Sequence, residues 1–557
     1  IIADLVLKNG FVYTVDKQRS QVEAIGIIED KIIYTGSNSG VETFIGPKTK
    51  VTDLDGRMVL PGFVESHAHP TMASQVATVI LNNLPSLEAY QQAIKGFASA
   101  NQDKKAIYGN GWDNSLFPPL GPRKEDLDAI ISDRPASMMS EDCHAIWVNS
   151  KALEVCGITK NSPAPQGGKI ERDPETGEPS GTFREDAMDL IHNALPPLTV
   201  EEIKAGMHTY MDIAAKEGIT TVHDAMLIVP GHKGSLLGLG WYRENTVALG
   251  QLAEEEQLTL RVRASFHTSP ELGVSQIPDI LAECKKHKNP LFKIRSAKIF
   301  IDGVVEGSTA FLFEPYAHKP GFSGEPIWDP VDLNLMFKAL DREKLQIHVH
   351  AIGDAGISMA LDAYECAIKA NGMRDARHQV THLQVLAPGD YKRFADMDIL
   401  GVPQPMWFKK GDYFEELEVP YLGRERAEKE YPMRSFIDAG ITMASASDFP
   451  VNVPCPPMLG IHGGVNRCEP GVHDPNAILG PEERVGVEEM IASYTINGAY
   501  ANFLEDETGS LEVGKKADIV VLDKNLFEID PSEISKTKVL MTIFNGKEIF
   551  RDVTMFE

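Results

Sequence analysis

No apolar run in the chain approaches the ~18 residues that a membrane-spanning helix requires, which excludes a transmembrane anchor within the sequence. Positive charge is in short supply. Lys and Arg number 54 against 80 Asp and Glu, a formal net charge of −26. Nucleic acids and anionic membrane surfaces would be repelled by such a chain and fall away as partners. Cysteine is sparse as well. The six residues, Cys143, Cys156, Cys284, Cys366, Cys455 and Cys468, are scattered and form no C-x-x-C. That excludes a disulfide framework and a zinc-finger spacing, and a reducing cytoplasm is the expected compartment. The opening Ile1-Ile2-Ala3-Asp4 lacks both an initiator Met and the basic-then-apolar layout of a signal peptide, consistent with trimming of an upstream segment. There is no solenoid repeat and no low-complexity tract.

What is present is a globular composition, 43% hydrophobic and 24% charged, in a chain of 557 residues, too long for a single core. The two ends share a texture of short strands and tight turns. Ala3 to Lys8 runs into Asn9-Gly10, Ala24 to Ile28 turns at Glu29-Asp30, and near the far end the stretch Ala517 to Asn525 is followed by Val539 to Phe544 with Asn545-Gly546. Neither end has enough apolar residues for its own core. Residues 1–58 and 508–557 are therefore expected to pair as one composite β-sandwich.

Between them lie eight apolar runs suited to parallel strands: residues 58–64, 219–223, 260–266, 294–301, 346–350, 379–382, 399–403 and 441–445. Helical stretches separate them, such as 201–217 before Gly218 and 357–371 before Gly372. The expected fold class is α/β, a (β/α)₈ TIM-like barrel over residues 59–71 and 216–507, with its active site where the strands end. The gap between the first two runs far exceeds an ordinary βα loop. It predicts a large insertion after barrel strand 1, residues 72–215, lying over the barrel mouth.

Strand ends carry the chemistry. The first run ends in His67-Ala68-His69, and two imidazoles two residues apart point to one face and can share a divalent cation. The fourth places Lys298 within an apolar stretch, where a charged amine is costly. Such a lysine is either paired or, with a depressed pKa, able to take up CO₂ as a carbamate bridging two metals. The fifth presents His348 and His350 on one face, with position favouring His350. The sixth ends at His382 and the eighth at Asp448. Imidazole and carboxylate ligands suit zinc, with manganese, iron and nickel compatible with the same donors. The chemistry expected of this set is hydrolysis by metal-activated hydroxide, with Asp448 as general base.

Taken in order, PGFVESHAHP, GWDN, EDCHAIWVNSKAL, GITTVHDA, KIFIDGVVEGSTA, HVHAIGD, RHQVTHLQ, SASDFPV and GSLEVGKKADIVVLD span nearly the whole chain. In these segments the sequence resembles the amidohydrolase superfamily, and within it the YtcJ-like, amidohydrolase 3 branch that includes N-substituted formamide deformylase. The resemblance implies His67 and His69 as ligands of a more buried metal, Lys298 as a carbamylated bridge, His350 and His382 as ligands of a second metal, and Asp448 as ligand and base. One or two divalent ions, zinc foremost, are thus expected as cofactors, with a small-molecule substrate as partner and a homodimer as the assembly. Substrate or supporting roles are expected for His144, Trp112, Asp113, His223 and Glu306. Arg184 and Glu185, in the insertion, are lesser candidates, with a solvated charged face as the plainer reading.

The sequence departs from the branch at Glu65, where relatives have Asp, and at Val304-Val305-Glu306-Gly307, where many have Gly-Ser-Arg. The expected reaction is hydrolysis of a non-peptide C–N bond in an N-substituted amide or formamide. The alternatives are a deaminase or an esterase or lactonase on the same site, and a catalytically silent regulatory homologue. Against deamination, the position three residues after His350 is Gly353, where resembling deaminases carry Glu.

Overall fold

Strands that are covered on both faces read as nearly continuous apolar runs, and seven such runs pair in parallel into one curved sheet. In order they are Phe63–Ala68, Ile219–Leu227, Arg261–His267, Phe292–Phe300, Gln346–Ala351, Gln379–His382 and Leu400–Val402. The computed structural model describes residues 1–73 and 77–556. Residues 74–76, at the start of the expected insertion, and residue 557 lie outside the described residues. Between consecutive strands run helices with readable boundaries. Val200–Lys216 begins with a reciprocal cap between Thr199 and Glu202, and Asp354–Asn371 ends at Gly372. The fold is a TIM-like barrel with additional sheets.

The eighth run does not form a regular strand. Residues 441–445 touch the seventh strand through a single parallel bridge, Gly401 to Met443, supported by Ala444 N donating to Gly401 O at 2.9 Å. On the other side, Asp448 N donates to His67 O at 3.0 Å. An irregular segment thus closes the ring between the seventh and first strands.

The first expected run is divided. Met58–Pro61 belongs to an outer sheet, where it pairs with Phe11–Tyr13 and with Ile519–Leu522. Only after Gly62 does Phe63–Ala68 enter the barrel. A Cβ at Gly62 would lie 2.2 Å from Thr220 Oγ1, so the crossing between the two sheets admits no larger residue. That outer sheet has six strands drawn from both chain ends, and it shares a core with a four-stranded sheet of residues 5–53 through Leu7, Ile25, Val59, Ile519 and Ile543. This is a composite sandwich. It docks on the barrel through a buried ion pair, Arg261 Nη1 to Asp518 Oδ2 at 2.8 Å.

A further six-stranded sheet spans residues 79–184 and has its own core around Trp112, Leu127, Met138 and Trp147. The turn that follows it carries Glu185 to the barrel mouth.

Candidate metal centre

Every residue expected to bind metal faces one small cavity at the carboxyl ends of the barrel strands. His67, His69, Lys298, His350, His382 and Asp448 all line it. His67 Nε2 lies 3.2 Å and His69 Nε2 3.3 Å from Asp448 Oδ1. Among the described residues these three are also the group whose ligand atoms gather within 4.8 Å of one another. Burial would raise the Asp448 carboxyl, but the hydrogen bond from His69 and the fields of His382 and Lys298 outweigh it and hold its pKa below the ordinary range.

Lys298 is fully buried, and its Nζ has no hydrogen-bond partner. Desolvation pushes its pKa down to about 7, against the opposing pull of Asp448 and Asp224. A neutral amine at this depth is nucleophilic, which is the state that carbamate formation requires.

His350 and His382 stand side by side, ring centroids 4.5 Å apart. His350 Nε2 donates to Gly303 O at 3.0 Å, which leaves Nδ1 as its free nitrogen. His382 Nδ1 meets Gln404 Oε1 at 2.8 Å, while the Gln404 amide donates to Thr381 Oγ1 and Val402 O, both at 3.2 Å. With the glutamine oxygen thus aimed at Nδ1, Nε2 of His382 is free. Trp407 stacks on the same imidazole at 5.7 Å. Gln404 and Trp407 were not singled out in the sequence. Their signal was position, just beyond the seventh strand, but neither side chain is a usual metal ligand.

Five non-glycine residues lining this cavity adopt left-handed φ angles: Cys143 (64°), Glu185 (51°), Leu237 (50°), His382 (79°) and Asp448 (59°). Each costs on the order of 1–3 kcal/mol, and such outliers collect where a site over-determines the backbone.

Other expected residues fall differently. His144 lines the cavity and bonds Glu185 Oε2 through Nδ1 at 2.7 Å. Burial works against protonation of this ring, but the Glu185 carboxylate carries it up to about 9. Glu185 and Arg184 are buried rather than solvated, contrary to the charged-face expectation, and Glu185 also accepts from Thr309 Oγ1 at 2.6 Å. The pattern was misleading because the partners of Glu185 are far away in sequence. Asp113 and Glu306 line an adjoining cavity of about 300 Å³ that opens onto His350, His382 and Asp448. Trp112 does not reach it; the indole packs in the insertion core and donates to Met138 O at 2.7 Å. His223 bonds none of the expected ligands and instead contacts Asn502, Ser265 and His348. Glu65 accepts from Ser447 N at 2.8 Å, tying the first strand to the segment that carries Asp448.

A barrel whose strand ends converge four histidines, a lysine without a partner and a carboxylate defines a metal-dependent hydrolase. The chain belongs to the amidohydrolase family, whose profile, described as "Amidohydrolase family", matches residues 50–550. It is 30% identical over 545 residues to the putative amidohydrolase YtcJ of Bacillus subtilis, covering 97% of this chain and 98% of that protein. With the N-substituted formamide deformylase of Arthrobacter pascens it shares 27% identity over 557 residues, 98% of this chain and 97% of the relative. The crystal structure of an uncharacterized metal-dependent hydrolase from Pyrococcus horikoshii superposes with a TM-score of 0.72 at 22% identity, covering 95% of this chain and 99% of that one.

Proposed function

We propose that the chain hydrolyses the C–N bond of an N-substituted amide or formamide, releasing a carboxylic acid and an amine. The observation that carries this reading is the gathering of His67, His69, Lys298, His350, His382 and Asp448 around one cavity, with Lys298 Nζ buried and without a hydrogen-bond partner. The donors fit one or two divalent ions, zinc foremost. His67, His69 and Asp448 would hold one, His350 and His382 a second, and a carbamate on Lys298 would bridge them. Bound there, a divalent metal supplies Lewis acidity for water and for the scissile carbonyl.

The chain's own residues do the rest. Asp448, kept ionised, accepts the proton of the attacking water and returns it to the departing nitrogen. His144, paired with Glu185, stands at the cavity wall within reach of a substrate oxygen. The larger cavity holds the N-substituent. Its walls include Trp407, Tyr413, Phe414 and Tyr431, which suit an aryl or alkyl group.

The same wall carries Asp113, Glu141, Asp142, Glu306 and Glu418 against Lys409, which is itself bound to Glu469 at 2.9 Å. Burial, with Asp142 beside it, lifts the pKa of Glu306 well above the ordinary range. The same burial penalises an unpaired substrate carboxylate, whereas a cationic group would draw these carboxyls into ionisation, so neutral and cationic N-substituents are preferred. We assign the cavity roof to the insertion, residues 72–215, the metal site to the barrel, residues 59–71 with 216–507, and no substrate contact to the sandwich of 1–58 with 508–557.

The test is a panel of N-alkyl and N-aryl formamides and acetamides, neutral, amine-bearing and carboxylate-bearing, assayed for released acid with zinc- or manganese-loaded protein. Turnover of neutral or cationic members, abolished by chelation, is the expected result. Turnover confined to esters or to ring amines would replace the amide reading with the esterase or deaminase one.

A further inference from the structure

The fifth strand carries two histidines on one face, and the metal reading employs only His350. His348 is equally buried, and its Nε2 meets His67 Nδ1 at 2.8 Å. Its other nitrogen lies 3.1 Å from Ser265 Oγ and 3.3 Å from His223 Nε2. His223 in turn bonds Ser265 Oγ through Nε2 and Asn502 Oδ1 through Nδ1, both at 2.7 Å.

Proton bookkeeping along this row has a single solution, fixed from the end remote from the cavity. Asn502 donates its Nδ2 to Gly498 O at 2.9 Å. A backbone carbonyl only accepts, so the amide cannot turn over, and Oδ1 must face His223. His223 Nδ1 therefore carries the proton, and its Nε2 is bare. The donor that reaches this nitrogen most closely is the Ser265 hydroxyl. Its one proton goes to His223 Nε2 or to Ser296 Oγ, 2.9 Å away, and in either case the serine offers His348 only a lone pair; given to His348, it would leave His223 Nε2 with no donor at all. His348 Nδ1 must supply the proton, which leaves His348 Nε2 bare, and a bare Nε2 requires a proton on His67 Nδ1. Neither His223 nor His348 has a carboxylate among its bonded partners to hold a second proton on the ring.

We infer that Asn502, His223, Ser265 and His348 form a buried relay that locks His67 as its Nδ1–H tautomer and presents a bare Nε2 to a cation. His67 Nε2 then faces Asp448 Oδ1 at 3.2 Å with no proton between them, an arrangement that calls for a positive ion at that point. His348 and the residues behind it are positioning residues. Metal histidines commonly give their second nitrogen to a carboxylate or a carbonyl; here that role falls to a second imidazole whose tautomer is set by an asparagine. The inference rests on the metal-site reading for its purpose, though not for its tautomer assignment.

Two readouts test it on the full-length protein. The first is zinc affinity of the metal-stripped chain, by competition with a chromophoric chelator, for the parent, His348→Leu, His348→Gln and Asn502→Leu. His348→Leu should bind zinc 10- to 100-fold more weakly. In His348→Gln an amide oxygen can still accept from His67 Nδ1, and most of the affinity should return. Asn502→Leu bonds none of the proposed ligands and should still weaken binding. The second readout is the ¹⁵N spectrum of histidine-labelled, metal-free parent protein, with His67 assigned by its loss in His67→Gln. An Nδ1–H signature for His67 is expected.

Parental zinc affinity in folded His348→Leu and Asn502→Leu, or an Nε2–H signature for His67 in the parent, overturns the relay. If His348→Leu does not fold, Asn502→Leu and the parent spectrum decide. If the parent binds no zinc, the metal reading fails, and the spectrum still judges the tautomer assignment by itself.

Discussion

His67 Nε2 and Asp448 Oδ1 meet at 3.2 Å across the closure of the barrel, and the backbone repeats the link, with Asp448 N donating to His67 O at 3.0 Å. The carboxylate is held by the chain itself and does not depend on a metal for its place. Asp448→Asn should therefore keep the fold and lose the base. Activity should fall by about 10²- to 10⁴-fold with metal content reduced far less, as read by kcat alongside elemental analysis. An Asp448→Asn enzyme of parental kcat would remove Asp448 from the proton path.

Lys298 makes a separate prediction. Its Nζ is buried without a hydrogen-bond partner, and Lys298→Ala leaves a space where a carbamate would sit. The variant should lose roughly 100-fold or more in activity and regain part of it with millimolar formate or acetate, carboxylates that can stand in for the carbamate. Inert behaviour towards every small carboxylate, with parental metal content, would make Lys298 a packing residue.

Remote from the site, the sixth-strand region carries a pH-dependent contribution to stability. Burial would raise the Asp341 carboxyl, but His378 Nε2 at 3.0 Å, Arg374 Nε at 2.8 Å and Asn371 Nδ2 at 2.9 Å outweigh it and take its pKa from 3.8 down to about 2. A depressed carboxyl stabilises the fold fully above its unfolded value and loses that contribution as pH falls through the folded one. The window is therefore about pH 4 down to pH 2. Asp341→Asn should lower stability by about 1–2 kcal/mol at pH 7, in denaturant titration, and shrink its loss between pH 4 and 2. An unchanged midpoint at neutral pH would contradict this.

Much of this was legible because barrel strands, being buried on both faces, announce themselves as apolar runs, and because the expected ligands sit at their ends. His67, His69, His382 and Asp448 needed little more than that placement. What failed did so for tertiary reasons. Residues 58–64 read as one strand since apolar content does not reveal that the chain changes sheets at Gly62. Residues 441–445 read as a strand although they pair with the seventh strand only at one isolated bridge and form no continuous ladder. Trp112, following Gly111, reads equally as pocket wall or core, and packing made it core. Glu185 looked solvated because His144 and Thr309, the partners that make its burial tolerable, come from elsewhere in the chain. His348 was passed over for His350 on position alone, and its bonding to His67 was hidden because its partners come from three other segments.

Metal stoichiometry decides between a hydrolase and a silent scaffold, measured by elemental analysis of protein purified without chelator or added metal, then repeated after reconstitution with zinc and bicarbonate. About two divalent ions per chain, with hydrolytic activity rising in proportion, is the predicted result. No bound ion under either condition would contradict the proposed hydrolase and leave a silent homologue on the same scaffold.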